Sequence, residues 1–207
     1  MRLTLLRHGE SIKNLEDRHG GVGKGLTDRG RTQIINFTDI IKPFTVAPIR
    51  VFHSNIIQTS ETAEIIGKNL NCPIIYDDRI KPLNIGLLDG LSREEASLKF
   101  PEIAKLMEAW RNGEIEINQL KIPESENLLD FWNRGTFFIN DLKKSDGLNI
   151  VVGTRSILIL LISIAVNRSI LPGGGYKEIV IQNSNFITFD YLDNNFVLNN
   201  SLSNFNI

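Results

Sequence analysis

The residues that follow the first apolar stretch of the chain have side chains suited to phosphate chemistry. Leu3, Leu5 and Leu6 predict a short buried strand, and Arg7-His8-Gly9 follows it directly. An arginine offers paired donors to an oxyanion, a neutral histidine can attack as a nucleophile, and glycine lets a ligand approach the backbone. Because open α/β sheets bind ligands at the carboxyl ends of their strands, this position favours a phosphate site. On the arginine and histidine alone, a surface histidine at a strand end is the better interpretation.

A longer sequence pattern around these residues favours a phosphate site over a surface histidine. The string RHGESxxNxxxRxxGxxxxLTxxGxxQ runs from Arg7 to Gln33 and is far more specific than a short motif. It strongly resembles the opening of the histidine phosphatase (phosphoglycerate mutase-like) superfamily. The resemblance implies an α/β fold, a three-layer α/β/α sandwich with a mostly parallel central sheet. It also implies an active site above the carboxyl ends of the strands.

The resemblance implies roles for individual residues as well. In this superfamily two histidines and two arginines hold a phosphoryl group, and the first histidine becomes phosphorylated. A carboxylate from a separate loop usually protonates the leaving oxygen. The first histidine and arginine match His8 and Arg7, and Ser11 and Asn14 lie where the superfamily often places further phosphate contacts. Cations offset the charge of the transferring group, and the imidazole splits one displacement into two.

Two of the expected pocket residues are replaced. The segment SNIIQTSETA resembles the pattern SxxxRxxxTA, but its arginine position holds Gln58, a neutral amide. The strand IVVG resembles the one that ends at the second histidine, and Thr154 and Arg155 follow it. No histidine follows His53, so the loss of the second imidazole does not depend on the alignment. We predict phosphate contacts from Gln58 and Thr154. Arg155 either returns a cation to the pocket or points to solvent at the start of a helix.

The usual catalytic acid is missing too. The loop that resembles the acid-bearing segment ends at Gly90, and its glutamate position falls near Pro82. Asp77, Asp78 and Asp89 are the carboxylates that could replace the glutamate. One preorganised donor commonly contributes roughly 3 kcal/mol of transition-state stabilisation, and a general acid contributes about 100- to 10,000-fold in rate. The three replacements together predict weak, altered or absent activity.

Three functions follow from these observations. A divergent phosphatase or phosphotransferase would form a phosphohistidine at His8 and act on a phosphorylated small molecule, and the intact Arg7-His8 pair supports it. A non-catalytic relative would bind a phosphate ligand or a protein partner, as the missing groups suggest. A changed reaction in the same anion pocket has no positive support in the sequence. A mutase of sugar metabolism is disfavoured because it must hold and return a phosphoryl group.

The alternation of strands and helices also predicts the α/β class. A capping box from Ser92 to Glu95 starts a separate helical segment that breaks at Phe100-Pro101 and resumes at residues 103–111. We predict one domain, residues 1–207, in which residues about 89–123 form a helical cap over the pocket. The remaining predicted elements are strands at 1–6, 49–52, 72–76, 149–152, 177–182, 186–192 and 196–198, and helices at 28–41, 57–70, 126–142 and 155–166.

Composition narrows the classes of partner and location. The chain has 207 residues, of which 42% are apolar, and these values fit one globular domain. Its net charge of −1 gives no overall positive potential that would attract nucleic acid or an anionic membrane. The single cysteine, Cys72, excludes an internal disulfide. Three scattered histidines indicate no metal site, and we predict no cofactor. The apparent lack of a signal peptide or membrane span predicts a cytoplasmic protein.

Overall fold

The computed structural model describes residues 1–20, 23–168 and 179–205. It contains six strands and seven α-helices in these ranges, with short 3-10 helices between them. The strands are β1 Arg2–Arg7, β2 Ile49–His53, β3 Ile74–Tyr76, β4 Leu148–Gly153, β5 Phe186–Leu192 and β6 Asn195–Leu198. The helices are α1 Ile12–Leu15, α2 Asp28–Ile41, α3 Ile57–Leu70, α4 Arg93–Lys99, α5 Pro101–Arg111, α6 Leu128–Leu142 and α7 Arg155–Ala165.

All six strands form one sheet in the order β3-β2-β4-β1-β5-β6. The pairs β1–β4, β2–β4 and β2–β3 are parallel, whereas β5 is antiparallel to both β1 and β6. Asp193 and Asn194 join β5 to β6 with positive φ angles of 48° and 64°, a backbone shape that Asp and Asn tolerate in tight hairpins. The first strand of the chain is therefore central, and its carboxyl end lies between two neighbouring strands.

Side chains alternate between two apolar layers, one on each face of the sheet. Leu3 and Leu5 of β1 belong to the core that contains the buried residues of α6 and α7, and Leu6 belongs to the core that contains those of α2 and α3. This alternation follows from the two-residue period of a strand. The almost wholly apolar α7 is buried along most of its length, as a helix packed deep against a sheet should be. The predicted three-layer α/β/α sandwich is confirmed.

Some predicted boundaries were wrong. A strand was predicted at residues 177–182, but the described part, 179–182, lies outside any strand although Ile179 and Ile181 are buried. The alternating apolar side chains there are buried, but their backbone does not form a strand. The sequence Pro172-Gly173-Gly174-Gly175 also predicts a loop, and these residues lie outside the described ranges. The short helix α1 was not predicted, and α5 begins at Pro101 rather than at residue 103, since proline suits the first turn of a helix.

The residues of the N-terminal motif hold the segment after β1 against the start of α2. The Thr27 amide donates to the Glu10 carbonyl at 2.9 Å, and the Glu10 amide donates to Gln33 Oε1 at 2.9 Å. Thr27 also caps α2 by accepting from the Gly30 amide. A Cβ added to Gly30 would lie 2.0 Å from the Glu10 carbonyl oxygen, and one added to Gly9 would lie 2.5 Å from the Gly30 oxygen. Both glycines therefore allow two backbone segments to touch.

Replacing Gly30 with alanine should lower the free energy of unfolding by at least about 2 kcal/mol, because the new methyl group would overlap a backbone oxygen. In an ordinary helix, replacing glycine with alanine raises the free energy of unfolding by about 1 kcal/mol. A decrease would therefore show that the backbone contact at Gly30 is tight. Urea denaturation of Gly30→Ala measures it, with Asn36→Ala at an exposed position of α2 as the control. A Gly30→Ala protein more stable than the original would show that the backbone contact is not tight.

Candidate active site

Parallel pairing of β1 with β4 builds the floor of the site. The register places Arg7 opposite Gly153, and the His8 amide donates to the Gly153 carbonyl at 3.2 Å. His8 and Thr154 therefore leave adjacent strands side by side at the carboxyl edge of the sheet. Arg155 follows as the first residue of α7, for which Thr154 is the N-cap residue. The N-terminal motif and the distant IVVGTR segment thus lie side by side in the fold, as the sequence predicted.

His8 is buried, with 3% of its surface exposed, and has a defined tautomer. Its Nδ1 lies 2.7 Å from the Gly9 carbonyl oxygen, which can only accept, so Nδ1 carries the proton and Nε2 keeps its lone pair. Burial lowers the pKa of His8 to about 3, helped by the charges of Arg7 and Lys13 and opposed by the hydrogen bond to Gly9. The imidazole is therefore neutral at physiological pH, which is the state that a nucleophile needs.

His8 should remain uncharged from pH 7 down to pH 5, without the usual ionisation near pH 6.5. Nitrogen-15 NMR of histidine-labelled protein tests this directly, because the chain has only three histidines. The chain unfolded in urea is the reference in which each imidazole titrates near pH 6.5. In acid the unfolded chain binds a proton at His8 that the folded chain does not bind. The free energy of unfolding is therefore undiminished by His8 above pH 6.5 and decreases progressively as the pH falls below that value. A midpoint near 6.5 for folded His8 would contradict the assignment.

A cavity of about 430 Å³ opens over His8, a size suited to a small-molecule ligand. Of the residues predicted for the site, the structure brings six to its wall: Arg7, His8, Asn14, Gln58, Thr154 and Arg155. The seventh, Ser11, is fully buried and does not line the cavity. Its side chain caps α1, and its hydroxyl lies 2.9 Å from Asn14 Oδ1. Ser11 therefore positions the helix that carries Asn14.

Gln58 and Thr154, the residues expected to replace an arginine and a histidine of the pocket, both line the cavity. Gln58 lies in the first turn of α3 with 2% of its surface exposed and contributes an amide to the cavity wall. Thr154 contributes a hydroxyl, whose oxygen lies 3.4 Å from Ser156 Oγ. Of the two positions considered for Arg155, the structure shows the one in the cavity wall. Arg7 lies there as well, and its guanidinium donates to the Ile181 carbonyl at 2.6 Å.

None of the carboxylates considered as replacement acids lines the cavity. Asp77 is held by Arg79, with a closest approach of 2.7 Å, Asp78 pairs with Lys81, and Asp89 is exposed. Pro82, near which the sequence placed the expected glutamate, does lie in the wall. Of the described residues, the acidic ones that line the cavity are instead Asp17 and Glu108.

An ion pair fixes the segment around Pro82. Arg134 Nε lies 2.7 Å from Glu126 Oε1, and the same guanidinium donates to the carbonyls of Arg79 and Pro82 at 2.5 and 2.9 Å. Glu126 Oε2 in turn accepts from the Asn84 amide at 3.3 Å. Glu126 and Arg134 therefore anchor one side of the cavity, although neither is among the residues that line it.

The cavity is strongly cationic, and sequence reasoning did not identify most of its charges. Arg7 and Arg155 were predicted, but Lys13, Arg18, Arg93 and Arg111 also line the wall. Among the residues that the structure describes, six cations and two carboxylates line the wall, so this part of the cavity attracts anions although the whole chain has a net charge of −1. The signal available in the sequence was weak: Lys13 occupies a variable place of the motif, and Arg93 and Arg111 flank the separate helical segment.

The described part of the chain contains neither a metal-binding cluster nor a membrane-spanning helix. Within residues 1–20, 23–168 and 179–205, no three His, Cys, Asp or Glu side chains are arranged to hold a metal ion. Across the same ranges, every helix is too short or too polar to cross a bilayer. The half-buried Cys72 is a free thiol packed beside the core of α2 and α3. The main feature of the described residues is thus the anion-attracting cavity that has the neutral His8 at its floor.

Comparison with known proteins assigns the family. The model of the histidine phosphatase superfamily, branch 1, matches residues 3–200. The chain belongs to this superfamily. A curated histidine phosphatase relative, "Probable phosphoglycerate mutase GpmB" of Erwinia tasmaniensis, is 31% identical over 121 residues, which cover 56% of this chain and 54% of the relative. The chain therefore spans about half the length of the curated relatives that it matches.

Solved histidine phosphatase structures share the fold over almost the whole chain. The mycobacterial glucosyl-3-phosphoglycerate phosphatase Rv2419c, complexed with VO3, superimposes with a TM-score of 0.78 at 19% identity, covering 96% of both chains. The α-ribazole phosphatase of Shigella flexneri gives a TM-score of 0.78 at 20% identity, covering 96% of this chain and 95% of that one. Together with the family match, these superpositions confirm the resemblance inferred from the N-terminal motif.

Proposed function

We propose that this protein transfers a phosphoryl group from a phosphorylated small molecule to His8 and then to water or another acceptor. The observation that supports the proposal is the state of His8, which is neutral, buried and held by its Nδ1 proton with Nε2 available, in a cavity rich in cations. Attack of Nε2 on phosphorus forms the N–P bond as the bond to the leaving oxygen breaks. Water then cleaves the N–P bond and regenerates the imidazole.

The neighbouring residues have complementary roles in this proposal. Arg7 and Arg155 offset the charge that develops on the equatorial oxygens, and Asn14, Gln58 and Thr154 supply neutral contacts. Thr154 follows β4 next to the end of β1, where the superfamily's second imidazole is expected, so a hydroxyl takes the place of a cationic group. The chemical step is therefore slower than in a complete pocket. Residues about 89–123 act as the cap that selects the leaving group.

The named substrates of similar proteins indicate the kind of molecule involved. The similar proteins are named for phosphoglycerate, glucosyl-3-phosphoglycerate and α-ribazole phosphate chemistry. We propose a phosphorylated small molecule as the ligand here, with neither nucleic acid nor membrane as a partner, no cofactor or metal, and a cytoplasmic location. The approximately 430 Å³ cavity accommodates such a molecule, and its excess of cations favours one that carries several negative charges.

A non-catalytic role is the second candidate. It is favoured by the presence of Gln58, Pro82 and Thr154 in the wall at the usual arginine, acid and histidine positions. Such a protein would bind the same phosphorylated ligand and report its concentration without turnover. The two candidates share a ligand class, so trapping of a covalent intermediate separates them.

Phosphoenzyme trapping tests the proposal. Protein is incubated with phosphate-labelled phosphomonoesters, quenched in alkali, where phosphohistidine survives, and digested for peptide mapping. We expect label on the peptide that contains His8 and none on peptides that contain His19 or His53. Ligand binding without label on any histidine, across several phosphomonoesters, would reject the phosphohistidine mechanism and favour the binding role.

A further inference from the structure

A segment near the end of the chain, residues 181–184, lies against the backbone that follows β1. The Ile181 carbonyl accepts from the Arg7 guanidinium at 2.6 Å, and the Ser184 amide donates to the carbonyls of Arg7 and His8 at 3.2 and 3.3 Å. Ser184 has a positive φ of 60°, a backbone conformation that is costly for a residue other than glycine. Such a conformation persists where surrounding contacts require it, and here those contacts are made with the site.

The side-chain amide of Asn183, within this segment, contacts three oxygens of the site. Its Nδ2 lies 3.1 Å from the His8 carbonyl oxygen, 3.3 Å from the Gly9 carbonyl oxygen and 3.1 Å from Asn14 Oδ1. Carbonyl oxygens can only accept, so the nitrogen of the Asn183 amide, and not its oxygen, faces them. Asn183 is not among the residues that line the cavity, so it can act on a ligand only through the groups that it holds.

The contact with Gly9 bears on the tautomer of His8. The Gly9 carbonyl oxygen is the acceptor for His8 Nδ1 at 2.7 Å, and the hydrogen bond of one imidazole nitrogen determines which nitrogen carries the proton. Because glycine has wide backbone freedom, the direction of this carbonyl depends on what holds the peptide between Gly9 and Glu10. Gln33 holds the amide of that peptide, at 2.9 Å from the Glu10 nitrogen, and Asn183 holds its carbonyl. Asn183 therefore keeps the acceptor of His8 in place.

The contact with Asn14 determines which end of the Asn14 amide is left for a ligand. Asn14 Oδ1 accepts from the Ser11 amide at 3.0 Å, from the Ser11 hydroxyl at 2.9 Å and from Asn183 Nδ2 at 3.1 Å. Asn14 lines the cavity, and its Nδ2 has no acceptor among the described residues. The amino group of Asn14 is thus the end available to a ligand. An N–H donor complements a phosphoryl oxygen, whereas the reversed amide would place one acceptor against another.

We propose that Asn183 is a positioning residue for phosphoryl transfer. Through Gly9 it keeps the proton of His8 on Nδ1, and through Asn14 Oδ1 it directs the Asn14 amino group at the phosphoryl oxygens. The inference rests on the proposed function, in which Nε2 of His8 attacks phosphorus. A proton moved to Nε2 would occupy the lone pair that the attack requires. Asn183 and His8 are 175 residues apart in the sequence, so the two ends of the chain together prepare the attacking group.

Nitrogen-15 NMR of histidine-labelled protein locates the His8 proton without any turnover. At about pH 8, where an imidazole of ordinary pKa is neutral, the original protein should show the proton on Nδ1. In Asn183→Ala the signal of this form should decrease and that of the form protonated on Nε2 should appear. Asn183→Asp, which has nearly the same shape but no side-chain donor, should behave alike and decides the result if Asn183→Ala does not fold. Asn195→Asp, at an exposed position of β6, should keep the original signals.

Calorimetry with inorganic phosphate tests the contact with Asn14. Asn14→Ala and Asn183→Ala should each weaken phosphate binding about tenfold or more, the loss expected for one hydrogen bond to a charged group. Once Asn14 is alanine, Asn183→Ala should weaken binding no further, because residues in one hydrogen-bond network do not act additively. Phosphate binding that does not depend on Asn14, or equal weakening by Asn183→Ala in both backgrounds, would reject this contact. Lower stability in urea with the His8 proton still on Nδ1 would overturn the contact with Gly9, since Asn183 would then support only the fold.

The two proposals fail in different ways. A shift of the His8 proton in the Asn183 variants, without a labelled histidine in the trapping experiment, would reject the phosphoryl transfer and keep the positioning of His8 by Asn183. Label on His8 that forms at the original rate in Asn183→Ala, with the proton still on Nδ1, would do the reverse.

Discussion

Replacing His8 with alanine should lower kcat/KM for the preferred phosphomonoester at least about 1,000-fold and abolish the phosphoenzyme. Alanine removes the only imidazole in the cavity wall among the described residues and cannot form the N–P bond. The cations of the wall remain, so the substrate should still bind. A steady-state assay beside a calorimetric titration separates the two effects, because kcat should collapse while the dissociation constant changes little.

A matched histidine serves as the control for this experiment. His53 ends β2, and its Nδ1 lies 2.8 Å from the Ser54 carbonyl oxygen and 3.1 Å from Ser60 Oγ, outside the cavity wall. His53→Asn should therefore keep its activity within about twofold, as is usual for a change away from the reacting groups. Turnover that survives in His8→Ala at the original rate would reject His8 as the nucleophile.

Introducing histidine at position 154 should increase phosphatase activity about 100-fold. Thr154 is beside His8 because β1 and β4 are paired in register, and its side chain is half-buried in the cavity wall. An imidazole N–H there would donate to the transferring group in the transition state, and one such donor commonly contributes about 100- to 1,000-fold. Gln58→Arg, combined with Thr154→His, would add a charge at a second point of the cavity wall and should raise kcat further.

The controls for this gain of activity are simple. Thr32→His, the same exchange at an exposed position of α2, should leave kcat unchanged. His8→Ala added to Thr154→His should eliminate the gain, since the new imidazole acts on transfer to His8. No gain in either the single or the double variant would indicate that groups other than those at positions 58 and 154 limit the chemistry.

The sequence predicted the parts of the site that local patterns determine. The strand period and the contiguous motif placed Arg7 and His8 at the carboxyl edge of a sheet, and the transition from strand to helix fixed Thr154 and Arg155. These residues are positioned by their immediate neighbours along the chain. The same is true of the capping box at Ser92, which the structure contains as predicted.

Residues positioned by tertiary packing could not be predicted in this way. Arg93 and Arg111 reach the cavity only because the segment before α4 pairs with the loop after α1, through hydrogen bonds such as that from the His19 amide to the Leu91 carbonyl at 2.8 Å. No local period encodes that contact. The prediction of a strand from the alternating Ile179 and Ile181 was wrong for a similar reason. A two-residue apolar period shows that one face of a segment is buried, but it does not show that the backbone hydrogen-bonds to a neighbouring strand.

The central place of β1 in the sheet has a consequence for how the chain is made. Both neighbours of the first strand, β4 and β5, come from the last third of the sequence. At typical rates of synthesis, roughly 10 to 40 s pass between emergence of β1 and completion of β5 at Leu192. During that interval the apolar residues of β1 have no permanent partner. The nascent chain is therefore expected to need protection by chaperones, and His8 is synthesised well before the two strands that complete its surroundings.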